Sequence, residues 1–156
     1  MKEARLIKNN TYLLFAVVPL SIVGYLFAVY EESLFFLYEW FLTLLLAGSV
    51  ILSIVSIIKI KSALKWISIS FLAFLIQFST LSLFLGPFTF RALFPLFYVV
   101  ALLSILIFVI THKKVDKFKS LPIIFIFLSI IFLFYMVTLN SLWGANLSLG
   151  LIFLIE

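Results

Sequence analysis

The run LFFLYEWFLTLLLAGSVILSIVSII (34–58), the loop KIKSALK (59–65) and the run WISISFLAFLIQFSTLSLFL (66–85) together decide the fold. A bilayer core of about 30 Å is crossed by about 20 apolar residues in a helix. Both runs reach that length, and the first is interrupted only by Glu39 near its start. In hydrocarbon every backbone N–H and C=O needs a partner inside the protein, which leaves helices and closed barrels. Barrel strands alternate apolar and polar residues over about ten positions. These runs are continuously apolar and so predict helices. The short lysine-bearing loop between them makes the pair an antiparallel hairpin.

Working outward, the same criterion predicts further spans at about 12–30, 92–111 and 121–139. The connections are Glu31-Glu32-Ser33, the lysine loop, a turn opened by Gly86-Pro87, and His112 through Ser120. Pro lacks an N–H and ends a helix at the third of these, whereas Pro122 falls in a first turn, where it is tolerated. The expectation is an all-α integral membrane protein: one domain over 1–156, a polytopic bundle of five transmembrane helices. No internal repeat or low-complexity linker marks a second domain. Residues 140–156 leave two readings open. Leu147–Ile155 is too short for a full span, so the segment is either an outer interfacial tail or a short sixth or re-entrant segment.

Composition points the same way. The chain is 66% hydrophobic and 11% charged, with a mean hydropathy of +1.36, whereas soluble domains are about 45–50% apolar and about 25% charged. Its 20 Phe suit a lipid-facing surface. The net charge of +5 comes from short clusters between apolar runs, not from a basic stripe, so nucleic acid is not an expected partner. Without Cys, and with His112 as the lone histidine, no metal site and no cofactor is expected. Lys2, Arg5 and Lys8 ahead of an apolar stretch resemble a signal sequence. The stretch is longer than the roughly 7–15 residues of such a segment and no A-x-A site follows, so it reads as an uncleaved first span.

Lys and Arg set the orientation. Of the 11, only Arg91 falls on one side. Lys2, Arg5, Lys8, Lys59, Lys61, Lys65, Lys113, Lys114, Lys117 and Lys119 fall on the other, which is therefore the cytoplasm, with the N-terminus inside. Tyr12 and Trp66 then form an inner aromatic belt, and Tyr30, Tyr38, Trp40 and Trp143 an outer one. Abundant Lys, Ile and Phe with little Gly, Ala or Arg suggest an AT-rich bacterial genome and hence a plasma-membrane location.

The polar groups at membrane depth are few. Ser70, Ala73, Gln77 and Thr80 share one face of the third span. Ser49, Ser53 and Ser56 form a stripe on the second, and Val17, Ser21, Gly24 and Ala28 a small-residue face on the first, which Pro19 is placed to kink. Small faces let helix backbones approach. These three are expected to form the bundle interior, with Phe- and Leu-rich faces toward lipid. The polar side chains are then either hydrogen-bonding glue between helices or part of a pathway. Glu39 lies about 7.5 Å into the second span. It is read with Arg91 as a candidate outer-leaflet ion pair, the competing reading being two independently snorkelling charges.

Function follows from what membrane chemistry requires. Intramembrane catalysis needs a nucleophile with its base, paired aspartates or a metal site, and no ionisable side chain stands at mid-membrane depth, so an enzyme is not expected. Secondary transporters generally place ionisable groups near the midplane. A small oligomeric transporter or channel component built on the face around Gln77 is accordingly the second reading. The first is a non-enzymatic accessory, regulatory, or immunity- or stress-type protein acting through helix–helix contacts. Its expected partners are the lipid bilayer and a larger membrane protein or further copies of itself. Compartment reporters fused after Lys61, Thr89, Lys117 and Glu156 are predicted to read inside, outside, inside and outside. An inside signal at Glu156 means six spans, and one at Thr89 overturns the topology.

Overall fold

The computed structural model describes residues 2–30, 32–82, 84 and 93–153, with side chains described at 3–21, 23, 30, 36, 39–82, 84 and 93–142. It contains five helices: α1 (Lys2–Tyr30), α2 (Glu32–Lys59), α3 (Lys65–Ser82), α4 (Phe94–Lys114) and α5 (Ser120–Phe153). Among the described residues there is no strand. Four helices, α2 to α5, are long and apolar enough to cross a membrane.

Three boundaries differ from the predicted spans, each for a local reason. α1 starts at Lys2 instead of near Tyr12, because the intervening Lys, Glu, Ala, Arg and Leu are good helix formers with no Gly or Pro among them. It runs on continuously through Pro19. α4 continues past Thr111 to Lys114, where His112, Lys113 and Lys114 complement the negative end of the helix dipole. Val115 then takes an extended conformation and its N–H donates to the Thr111 carbonyl at 3.1 Å. α5 does not end near Leu139 but continues without a chain reversal to Phe153. The turn at Gly86-Pro87 lies outside the described residues.

Helix α3 is the hub. It packs against α1, α2, α4 and α5, whereas α1 and α2 are not packed against α4 or α5 among the described residues. The bundle is therefore two helical pairs, α1/α2 and α4/α5, carried on one central helix. Burial follows: 56% of the α3 segment is buried, against 17%, 33% and 28% of those in α2, α4 and α5. The most polar of the four segments is the one removed from the surroundings.

The core is aromatic. Phe125 of α5 sits among Phe71, Phe74 and Phe108, at ring-centroid separations of 5.6, 4.9 and 5.4 Å. A second cluster joins Leu81, Phe84, Phe94, Phe97, Ala101 and Met136 toward the other end. The expectation that Phe faces outward thus needs correcting. Phe15, Phe36, Phe41, Phe127 and Phe134 are exposed, but Phe71, Phe74, Phe78, Phe84, Phe94, Phe97, Phe108 and Phe125 are buried. Lipid tails are as apolar as these rings, so hydrophobicity does not sort Phe between inside and outside. Ring–ring geometry and close packing do.

Replacing Phe125 by Ala removes those contacts and leaves a cavity. Without a water-to-core transfer gain, the loss should fall below the 3–5 kcal/mol of a soluble core, at about 1–3 kcal/mol. Thermal unfolding in mild detergent should show a lowered midpoint for Phe125→Ala and none for Phe127→Ala, whose side chain is 63% exposed.

Candidate functional site

The buried polar side chains resolve into separate interhelical contacts, not one continuous face. On the α1/α2 side, the Asn10 side-chain amide donates to Ser56 Oγ at 3.0 Å, and Ser53 Oγ donates to Asn10 Oδ1 at 3.4 Å. Ser56 in turn donates to the Leu52 carbonyl at 2.7 Å, and the buried Ser49 donates to that of Leu45 at 2.8 Å. Every hydrogen-bonding atom of the Asn10 carboxamide oxygen–nitrogen pair thus has a partner on α2. Burial without such bonds would cost roughly 2–7 kcal/mol per polar group in an apolar medium.

On the α3/α4/α5 side the polar groups climb α3. Ser70 and Thr111 exchange a hydroxyl hydrogen bond at 2.7 Å, and Thr111 also lies 3.2 Å from the Trp66 carbonyl. One turn further, Ser104 of α4 donates to the Ala73 carbonyl at 3.3 Å. Next, Ser129 of α5 donates to Gln77 Oε1 at 2.7 Å. Thr80 only bonds back to its own helix, at the Gln77 and Ile76 carbonyls. The serines of α2 and the polar groups of α3 therefore serve different neighbours.

Three buried polar atoms have no hydrogen-bond partner among the described residues: Gln77 Nε2, Ser68 Oγ and His112 Nδ1. Gln77 is the most exacting of these, because its side chain is fully buried and its other amide atom is already bound to Ser129.

The basic segments gather at one end of the bundle. Glu3 accepts from the Lys61 N–H at 3.2 Å and from the Ser62 hydroxyl at 2.7 Å, tying the start of α1 to the α2–α3 loop. The Ser62 hydroxyl first, and the Lys61 N–H second, hold the Glu3 carboxyl below its ordinary pKa. An open cleft of about 710 Å³ at this end is bounded by Glu3, Ala4, Ser62–Leu64 and Val115–Lys117. Beside it Lys114 Nζ lies 3.9 Å from the centre of the Trp66 ring, joining the end of α4 to the start of α3. At the opposite end, Glu39 is exposed on α2 beside Trp40 and Thr43. Its proposed partner Arg91 lies outside the described residues, and of Gly24 and Ala28 only the helical backbone is described.

Sequence reading missed Asn10, Ser104, Thr111 and Ser129. Asn10 was hidden in a charged flank that turned out to be helix. The other three are single hydroxyls in apolar runs, with no spacing signal of their own. Among the described residues no group of three His, Cys, Asp or Glu is arranged to hold a metal. No family model, curated protein or solved structure matches the chain.

The Gln77–Ser129 bond is the contact most open to measurement. Ser129→Ala leaves the whole Gln77 carboxamide unpartnered and should destabilise the protein by about 1 kcal/mol. In a Gln77→Leu background the same change should cost close to nothing. Unfolding titrations of the four proteins of this double-mutant cycle should therefore give a coupling of about 1 kcal/mol, between the average and the upper end for membrane helices. Strict additivity would show that the bond contributes nothing.

Proposed function

We propose that the chain is a five-span plasma-membrane protein with its N-terminal end in the cytoplasm, and that it works without catalysis, as an accessory or regulatory subunit or an immunity- or stress-type factor contacting a larger membrane protein. The observation that carries this reading is how the interior polarity is used. Asn10, Ser53, Ser56, Ser70, Thr111, Ser104, Gln77 and Ser129 bond one another or a backbone carbonyl across helix boundaries. Polar groups spent in this way fix helix pairing. The outward surfaces that remain, such as Leu44, Ile51 and Ile58 on α2 or Leu102, Leu103 and Leu106 on α4, are apolar and suit lipid or another helix.

The fifth crossing is α1, whose apolar stretch from Tyr12 to Tyr30 is long enough for a span and whose Leu14 and Val17 belong to the core. Orientation is supported by the contacts that bring residues 3–4, 61–64 and 115–117 to one end, where Lys and Arg concentrate.

One observation favours a second reading, passage of a small polar solute: the unpartnered Gln77 amide nitrogen in the middle of α3. Affinity purification in a gentle detergent, followed by mass spectrometry, separates the two. A stoichiometric membrane-protein partner is expected. Purification of this chain alone, together with solute flux into proteoliposomes that Gln77→Leu abolishes, would replace the accessory role with transport.

A further inference from the structure

We infer that the groove between the start of α1 and the end of α2 is a binding site for the headgroup of an anionic glycerophospholipid. This open groove of about 580 Å³ is lined by Glu3, Arg5, Leu6, Asn9 and Lys59. Asn9 follows Arg5 by four residues and Leu6 by three, which places it beside both on the helix surface, and Lys59 approaches from α2. Level in the bilayer is set by neighbouring bonds. Asn10 is held against Ser56 near the end of the apolar run, while Glu3 is held at Lys61 and Ser62 just beyond it. The groove therefore straddles the boundary between hydrocarbon and headgroups at the basic end.

Its charges are set up for an anion. Among the described residues neither Arg5 nor Lys59 has a carboxylate within 4.0 Å, the one ion pair being Lys119–Asp116 at 3.6 Å. Glu3 makes no ion pair with either; its oxygens accept from the Lys61 N–H and the Ser62 hydroxyl, and its charge stays at the edge of the groove. Arg offers a planar fork that binds phosphate oxygens two at a time, and Lys a compact point charge. Asn9 adds an amide donor, and Leu6 an apolar wall for the first carbons of an acyl chain. Two cations against one carboxylate leave a single positive charge, which matches a phosphodiester that carries no ammonium of its own. Basic pockets between transmembrane helices on the cytoplasmic side are where such headgroups bind.

The inference rests on the bundle lying in a bilayer and is independent of the accessory role. Its test is native mass spectrometry of the detergent-solubilised protein titrated with dioleoylphosphatidylglycerol or dioleoylphosphatidylcholine. One phosphatidylglycerol should be retained per chain, in preference to phosphatidylcholine. Each of the two cations that line the groove should contribute about 5-fold to a headgroup seated there, so R5Q/K59Q should bind phosphatidylglycerol about 30-fold more weakly. K117Q/K119Q, which removes as much charge from the α4–α5 loop, should bind as the parent does. If the double variant does not fold, R5Q and K59Q singly should each lose about 5-fold. Equal retention of the two lipids, or equal losses in the two double variants, would overturn the site while leaving the topology reporters and the partner purification unaffected.

Discussion

Helices as apolar as these would have no hydrophobic reason to associate in hydrocarbon, so the bundle depends on the least apolar of the four long enough to span, α3. Helix α3 carries Ser68, Ser70 and Gln77 along its buried side. Exposed to lipid tails, Ser70 and Gln77 would forfeit their hydrogen bonds to neighbouring helices. Packed centrally, Ser70 and Gln77 meet Thr111 and Ser129 on two different helices. Every other helix touches α3, so its rotational setting decides which faces of the remaining four turn inward. The aromatic core is a consequence: once Gln77 faces Ser129, the side chains above and below it, Phe71, Phe74 and Phe78, are carried against α5.

The α1/α2 pair is assembled on the same principle with a different donor set. A single carboxamide, Asn10, bridges two serines one turn apart on α2. Amide-to-hydroxyl bonding of this kind fixes the register of two helices as well as their proximity, since a slip of one residue rotates the partner out of reach. Glu3 reinforces that register at the helix end by gripping the loop that leads into α3.

The helices and their antiparallel order were legible because hydropathy and loop length are local properties. Gln77 was legible as a polar group at depth, as were the serines of α2. Their partners were not. Which hydroxyl faces Gln77 depends on the rotation of α5 about its own axis, and α5 is apolar on all sides, so its sequence marks no preferred face. Asn10 was obscured for another reason: charges at Lys2, Arg5 and Lys8 read as a flank, although nothing there interrupts a helix. Buried and exposed phenylalanines are indistinguishable in a one-dimensional pattern, because in a lipid setting both positions are apolar.

The lengths of the helices carry one more consequence. Helix α3 has 18 residues, about 27 Å, and ends in turns at both sides. Around it, α1, α2 and α5 have 29, 28 and 34 residues, or about 42–51 Å. Helix α4 is intermediate at 21 residues, so α3 is the shortest of the five, and the cleft over Ser62–Leu64 opens at its basic end. A helix of about 27 Å falls just short of the roughly 30 Å of a bilayer core, so in a bilayer α3 has no length to spare for tilting, whereas its longest neighbours do.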